Sequence, residues 1–290
     1  MSPRRARPRA GDDSFDLRTM LRLRPSEDGT VDLAGYGTAT TAGVGGRRSA
    51  EQSLDVLGTE LADLHARLIA NGDRSVLLVL QGLDASGKNG TVKHVGRYFD
   101  QSGLRVAEFG PPTAGEASHG FLWRIRRQRP LPGSVTVFNR SHYEDAIVPV
   151  ATGVTTPSEV ARRIRQINEF ERELVEAGTI VIKCVPNISY DEQRERFLRR
   201  LDRPDKRWKF SEADLDTRKR WSEFQAAYAM ALGRTDNDNA PWYVVPSDHK
   251  WYRNWAVARL LVESLRGVVG PYPQPPLDLE RLRGNLKAPN

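Results

Sequence analysis

Seven consecutive residues, Gly82-Leu83-Asp84-Ala85-Ser86-Gly87-Lys88, combine two glycines, a carboxylate and a lysine at Gly-x4-Gly-Lys spacing. An apolar run, Val76 to Leu80, precedes them and a helical pattern, Thr91 to Val95, follows. Strand, glycine-rich turn and helix are the setting of a phosphate-binding loop. Glycine lets backbone N–H groups turn inward around an anion, and the helix N-terminus adds partial positive charge. Lys88 can reach outer phosphate oxygens, and Asp84 can bind magnesium or orient a reacting phosphate. Asn89 stands where Ser or Thr usually gives magnesium a hydroxyl. Its amide oxygen is a weaker ligand, which moves metal binding toward Asp84 and residues elsewhere.

Two further stretches carry compatible chemistry. Asn139-Arg140-Ser141-His142-Tyr143-Glu144-Asp145 follows the apolar run Val135–Phe138 directly. Strand ends hold the ligand in a doubly wound sheet, so Arg140 is placed to neutralise charge and Glu144 and Asp145 to support metal. The basic segment 194–209 places Arg196, Arg199, Arg200 and Arg203 at i, i+3, i+4 and i+7, as a lid that can close over the site. Like charges at that spacing repel unless an anion is near. The competing reading is an ordinary solvated helix, because Asp191, Glu192, Glu195, Asp202 and Asp205 are interspersed. Phosphoryl transfer asks for positioning, metal and positive charge more than for proton chemistry. A phosphate acceptor is already ionised, with a second pKa of about 6, so His142 is assigned a structural role. Trp208, Trp221, Tyr228, Trp251 and Trp255 could stack a base, but a core role is expected for most of them.

The elements that must position these groups alternate. A helix over about 49–70 carries Leu54, Leu57, Leu61, Leu64 and Leu68 on one face. Ser49 with Gln52 reads as its capping box and Asn71-Gly72 as its stop. Strands are expected at Val76–Leu80, Leu104–Phe109, Val135–Phe138, Thr179–Val185 and Trp242–Val245. Helices are expected after the loop to about Phe99, over Glu116–Arg129, from Pro157 to Gly178, and over 190–203. Two more follow at about 214–232 and 251–265. Alternation of this kind predicts an α/β fold, a five-stranded parallel sheet covered by helices on both faces. Residues 1–48 carry few apolar residues in any period, and Gly35, Gly37, Gly43, Gly45 and Gly46 make their second half loop-like. The division expected is 1–14 a disordered basic tail, 15–268 a single domain whose lid spans about 190–212, and 269–290 a C-terminal extension.

Charge and cysteine content narrow the function classes. The 290 residues carry a formal +7; four of these charges are Arg4, Arg5, Arg7 and Arg9, and +7 less four leaves +3 for the rest. A mildly basic folded part argues against nucleic acid as the partner. Cys184, the one cysteine, lies in an apolar run and is expected to be buried rather than nucleophilic. No segment reaches membrane-spanning length, and the N-terminal arginines precede no apolar region. The expected compartment is the cytoplasm.

The chain resembles the polyphosphate kinase 2 family over about residues 15–265. The resemblance rests on Gly82 through Gly90, on Pro112-Thr113 with His119-Gly120-Phe121-Leu122-Trp123-Arg124, and on Phe138 through Asp145. It continues through Arg196-Phe197, Arg200, Lys206-Arg207-Trp208-Lys209-Phe210 and Ala240 through Pro246. An Asp inside the loop together with Asn-Arg-Ser-x-Tyr-Glu is a specific combination. It implies a P-loop kinase fold like thymidylate kinase with a helical lid, magnesium as cofactor, and assembly into dimers or tetramers. It implies catalytic roles for Asp84, Lys88 and Arg140. Phosphate or nucleotide binding falls to Gly82, Ala85, Ser86, Gly87, Asn89 and Gly90 of the loop, to Arg124, and to Arg196, Arg199, Arg200, Arg203, Lys206 and Lys209 of the lid. Asn139 stands where many members have a Walker B aspartate, which places magnesium on Asp84, Glu144 and Asp145. Gly110 stands where a lysine is frequent.

The reading is a transferase that moves a phosphoryl group from inorganic polyphosphate to AMP or ADP. Two alternatives stay open: an ATP-dependent nucleoside monophosphate kinase, and a non-catalytic binder of polyphosphate or nucleic acid.

Overall fold

A computed structural model describes residues 16–27 and 29–287; the basic tail expected over 1–14 lies outside the described residues. Five strands form one parallel sheet: β1 (Ser75–Leu80), β2 (Leu104–Glu108), β3 (Val135–Asn139), β4 (Thr179–Asn187) and β5 (Trp242–Pro246). Their order is β2-β3-β1-β4-β5, with every pairing parallel. The central strand is buried at all six positions, as a strand covered on both faces must be.

Side-chain alternation sorts the core into two layers. Val76, Leu78 and Leu80 of β1 point to one layer with Ile182 and Cys184, and Leu77 and Val79 point to the other with Val181 and Phe138. The first layer is closed by α1 (Leu17–Leu21), α2 (Arg47–Asn71), α3 (Lys88–Gly96) and α11 (Lys250–Leu265). The leucine stripe of α2 packs there, as its spacing predicts. The second layer is closed mainly by α6 (Glu144–Ala151), α7 (Pro157–Glu176) and α10 (Trp221–Thr235). Cys184 is fully buried, and burial pushes its thiol pKa up, so it is a packing residue.

Several local expectations are corrected. Helix α2 starts two residues earlier than Ser49: Gly46 occupies its N-cap with no side-chain cap bond, so the Ser49–Gln52 capping box does not form. Its stop does form, with Gly72 left-handed at φ 63°. The single helix expected over 116–129 is two one-turn helices, α4 (Ala114–Ala117) and α5 (Trp123–Arg126); the capping box belongs to Thr113 and Glu116. The helix expected at 214–232 is broken at Arg220 into α9 (Glu212–Lys219) and α10. The lid helix α8 runs Tyr190–Asp202. Residues 16–23, for which no element was expected, join the core: Leu17, Leu21 and Leu23 are buried, and Leu23 N–H donates to the Trp242 carbonyl. Arg22 bridges Tyr243 in antiparallel sense, so this segment covers the β5 edge that would otherwise be exposed. In the C-terminal extension a final helix, α12, spans Leu279–Lys287.

Candidate active site

The carboxyl ends of β1 and β3 meet at the centre of the sheet, and the phosphate-binding loop turns there. Ala85 and Arg140 are the two non-glycine residues with positive φ among the described residues, at 63° and 61°. Such backbone costs about 1–3 kcal/mol per residue and clusters at functional sites. Here the two strained residues belong to the two strand ends that face each other. Arg140 N–H donates to the Leu80 carbonyl, and its guanidinium reaches back to Asp84 Oδ1 at 2.6 Å and to Glu144 Oε2 at 3.5 Å. Burial opposes the Arg140 charge, but Asp84 and Glu144 outweigh it and the guanidinium pKa is raised.

Lys88 is the first residue of α3 and is buried. Its ammonium donates to the carbonyls of Gly82 and Leu83, at 2.5 and 3.1 Å. An ammonium has three donors, so one is left for a ligand. Burial lowers the Lys88 pKa and the nearby Asp84 charge opposes that shift. Gly82, Ala85 and Ser86 are buried in the loop, whereas Asn89 and Gly90 are exposed on the first turn of α3.

Asp84, Lys88, Arg140 and Glu144 are thus brought together. Asp145 is not: its carboxylate takes Arg124 Nη2 at 3.4 Å. Arg124 also donates to the Gly110 carbonyl at 2.7 Å and is 8 % exposed, so it braces α5 against the strand end. No group of three or more His, Cys, Asp or Glu side chains that could hold a metal occurs among the described residues. Of the expected trio, Asp145 lies at Arg124, and Asp84 and Glu144 share Arg140. That pair still fits magnesium, which takes one or two carboxylates and completes its shell with water and substrate phosphates. Asn139 Oδ1 at the end of β3 is buried with no hydrogen-bond partner, an additional oxygen of the right kind.

The four-arginine stripe divides. Arg196 is buried and donates to the carbonyls of Ala85 and Ser86, at 2.9 and 3.0 Å, and to those of Ser247 and Asp248. These contacts tie α8 to the loop and to the residues after β5. Gln193, fully buried, adds a bond to the Asp84 carbonyl at 2.9 Å. Arg199 pairs with Glu192 at 2.7 Å, Arg203 with Asp205 at 2.9 Å, and Arg200 lies 4.0 Å from Asp214. The repulsion that the spacing implied is met by nearby acids, Glu192 of α8, Asp205 beyond it and Asp214 of α9. Arg203 also falls beyond the end of α8, in extended backbone. Lys206 is partly exposed and Lys209 is exposed, the latter 4.8 Å from the ring of Trp208. Trp208 is 78 % exposed, whereas Tyr228 and Trp255 are buried. His142 is buried against Glu171, as its structural assignment requires.

One charged residue escaped the sequence reading. Arg253 of α11 is 3 % exposed and donates to the Ser86 carbonyl at 3.3 Å. The available signal was its helical spacing with Ala256, Val257 and Leu260, which puts a cation on the buried face of the helix.

The chain is similar to proteins of known class. A sequence profile described as Polyphosphate kinase 2 matches residues 46–269. An AMP/ADP-polyphosphate phosphotransferase of Meiothermus ruber is 43% identical over 264 residues, covering 91% of this chain and 99% of that protein. An ADP-polyphosphate phosphotransferase of Rhodopseudomonas palustris is 34% identical over 265 residues, covering 87% and 92%. The crystal structure of polyphosphate kinase 2 from Arthrobacter aurescens superposes with a TM-score of 0.91 at 37% identity, covering 96% of this chain and 99% of that one.

Proposed function

The chain belongs to the polyphosphate kinase 2 family, and on that premise we propose that it transfers a phosphoryl group from inorganic polyphosphate to AMP or ADP, with magnesium. The observation that carries the proposal is the meeting of the Lys88 loop, Asp84 and Arg140 at one carboxyl end, with α8 tied to the loop by Gln193 and Arg196. A single kinase domain over 15–268, with its lid at about 190–212, does this work. Dimeric or tetrameric assembly follows from the family resemblance.

The chemistry asked of the protein is mainly electrostatic. The loop N–H groups, the N-terminus of α3 and the remaining Lys88 donor hold phosphate oxygens. Arg140 has donors beyond those spent on Asp84 and Glu144 and neutralises charge that builds up during transfer. Asp84 and Glu144 would hold magnesium, which when bound would supply positive charge to the phosphate groups. No base is required of the protein, since the acceptor phosphate is already ionised. Lys206 and Lys209, with the outer arginines, offer cations to a polyanionic donor.

Among the described residues, no helix is long and apolar enough to cross a membrane. Residence in the cytoplasm is part of the proposal. The test is a donor assay: purified protein with magnesium and AMP, given either polyphosphate or another nucleoside triphosphate. Product from polyphosphate alone is the expected result. Turnover only with the triphosphate would make the protein an ordinary nucleoside monophosphate kinase, and none with either would make it a binder.

A further inference from the structure

Arg253 lies against the phosphate-binding loop without a carboxylate to balance it. Its Nη1 donates to the Ser86 carbonyl at 3.3 Å, its Nη2 to Asn254 Oδ1 at 2.9 Å, and its Nε is buried with no partner. The nearest strongly felt charge is another cation, Arg196, which donates to the same Ser86 carbonyl. Arg196 has Glu192 at 2.8 Å as a counter-ion; no carboxylate among the described residues pairs with Arg253. Burial and then the Arg196 charge pull the Arg253 pKa down to about 9.

The loop is shaped around this guanidinium. A Cβ at Gly87 would stand 1.8 Å from Arg253 Nη1 and 2.5 Å from its Cζ, and one at Gly90 3.1 Å from Nη2. Gly87 thus suits its φ of 108° and also leaves the space that the guanidinium occupies. The grip on the Ser86 carbonyl also has a directional consequence. In a trans peptide the carbonyl and the following N–H point opposite ways. Two arginines hold the Ser86 oxygen toward α8 and α11, so the Gly87 N–H is turned away from them. That N–H donates to no backbone carbonyl among the described residues.

We infer that Arg253 is a positioning residue for the transfer reaction: it aims the Gly87 N–H into the anion cradle, and its unbalanced charge is balanced by the phosphate bound there. The inference rests on the proposed phosphate chemistry of the loop. A buried cation without a partner is costly to the folded protein. An anion across the loop lowers that cost, so anion binding and the Arg253 charge must be coupled reciprocally.

The experiment compares the parent, Arg253→Met and Arg253→Lys, with tripolyphosphate as the probe of anion binding. Without anion, Arg253→Met should melt no lower than the parent, because an unbalanced buried charge has been removed. The rise in Tm produced by saturating tripolyphosphate should shrink to less than half in Arg253→Met and be largely kept in Arg253→Lys. With polyphosphate and AMP, kcat of Arg253→Met should fall on the order of tenfold to a hundredfold, as for a small misplacement of a reacting group, while KM for AMP stays within about twofold. A lower anion-free Tm with a full tripolyphosphate response would make Arg253 an ordinary packing residue and overturn the inference. An equal loss of response in Arg253→Lys would overturn the charge balance. A parent that neither responds to tripolyphosphate nor turns over would instead overturn the phosphate reading of the loop.

Discussion

At the scale of single residues, the site is a set of cations and carboxylates that constrain one another before any substrate arrives. Lys88 is held by two carbonyls of its own loop, so its removal has two effects. Lys88→Ala should lower kcat by about a hundredfold or more through lost charge stabilisation. It should also cost about 1–3 kcal/mol of stability by leaving the Gly82 carbonyl without its donor, whereas the Leu83 carbonyl keeps the Ser86 N–H. Steady-state rates and urea unfolding measure the two separately, and near-parental turnover would remove the loop from the mechanism. Asp84→Asn should raise the magnesium concentration needed for activity more than Asn139→Ala does, since Asp84 is the charged ligand and Asn139 a neutral one. Identical magnesium titrations of both variants and the parent would contradict the assignment. His94, on the loop helix, has its pKa lowered to about 4, first by burial and then by the charges of Arg97 and Arg253. Its folded pKa lies below the ordinary value of 6.5, so the unfolded chain binds the proton more readily between pH 6.5 and 4. Stability should therefore fall with acidification through that window. His94→Gln should flatten the loss, as read by melting temperature against pH.

At the scale of elements, α8 is two things joined end to end. Its first two turns are part of the loop's scaffold: Gln193, Arg196 and Phe197 are buried, and the first two bond loop carbonyls. Beyond Phe197 the lid carries exposed apolar side chains, Leu198, Leu201 and Trp208. Hydrogen exchange should thus show a boundary near residue 198, slow before it and fast from there to about 211. Polyphosphate should slow the fast part only, because ordering of the lid is driven by binding to the closed state. Replacing Arg199 and Arg200 by Gln should weaken polyphosphate more than AMP and flatten the salt dependence of polyphosphate affinity. The effect should be smaller than four free arginines would give, since Glu192 and Asp214 already compete for these two. Uniform exchange over 190–211, or equal weakening of both substrates, would place the polymer elsewhere.

At the scale of the molecule, the second core layer is tied together by a buried polar knot. Lys183 of β4 donates to Glu171 of α7 at 2.6 Å, to the Tyr143 hydroxyl at 3.0 Å and to the Thr235 carbonyl of α10 at 2.8 Å. Both charged partners are almost fully buried. Breaking such a pair leaves one buried charge alone, so Glu171→Gln should cost about 3–5 kcal/mol in urea unfolding. The paired change Glu171→Leu with Lys183→Met should cost much less, because no charge is stranded. A loss below about 1 kcal/mol in the single variant would mean that the ion pair does not hold these layers together. The knot lies under Tyr143, next to the strand end that bears Arg140, so the site's geometry is inherited from this part of the core.

The sequence by itself determined the parts of this protein whose partners are near in the chain. A phosphate-binding loop, the strand that precedes it and the helix that follows are contiguous, so spacing alone carries Gly82, Asp84, Gly87 and Lys88 to one place. Strand and helix alternation likewise carries the parallel sheet, because each burial period is local. Arg140 was legible for a related reason: it stands directly after an apolar strand. What tertiary structure alone decided is where the charges end. Arg196 and Arg199 are indistinguishable by spacing, yet one is buried on the Ser86 carbonyl, 110 positions away, and the other stays at the surface with Glu192. Arg253 reaches the same carbonyl across 167 positions. The energy of a buried charge is set by whatever packs against it, and neighbours brought together by folding leave no period in the sequence.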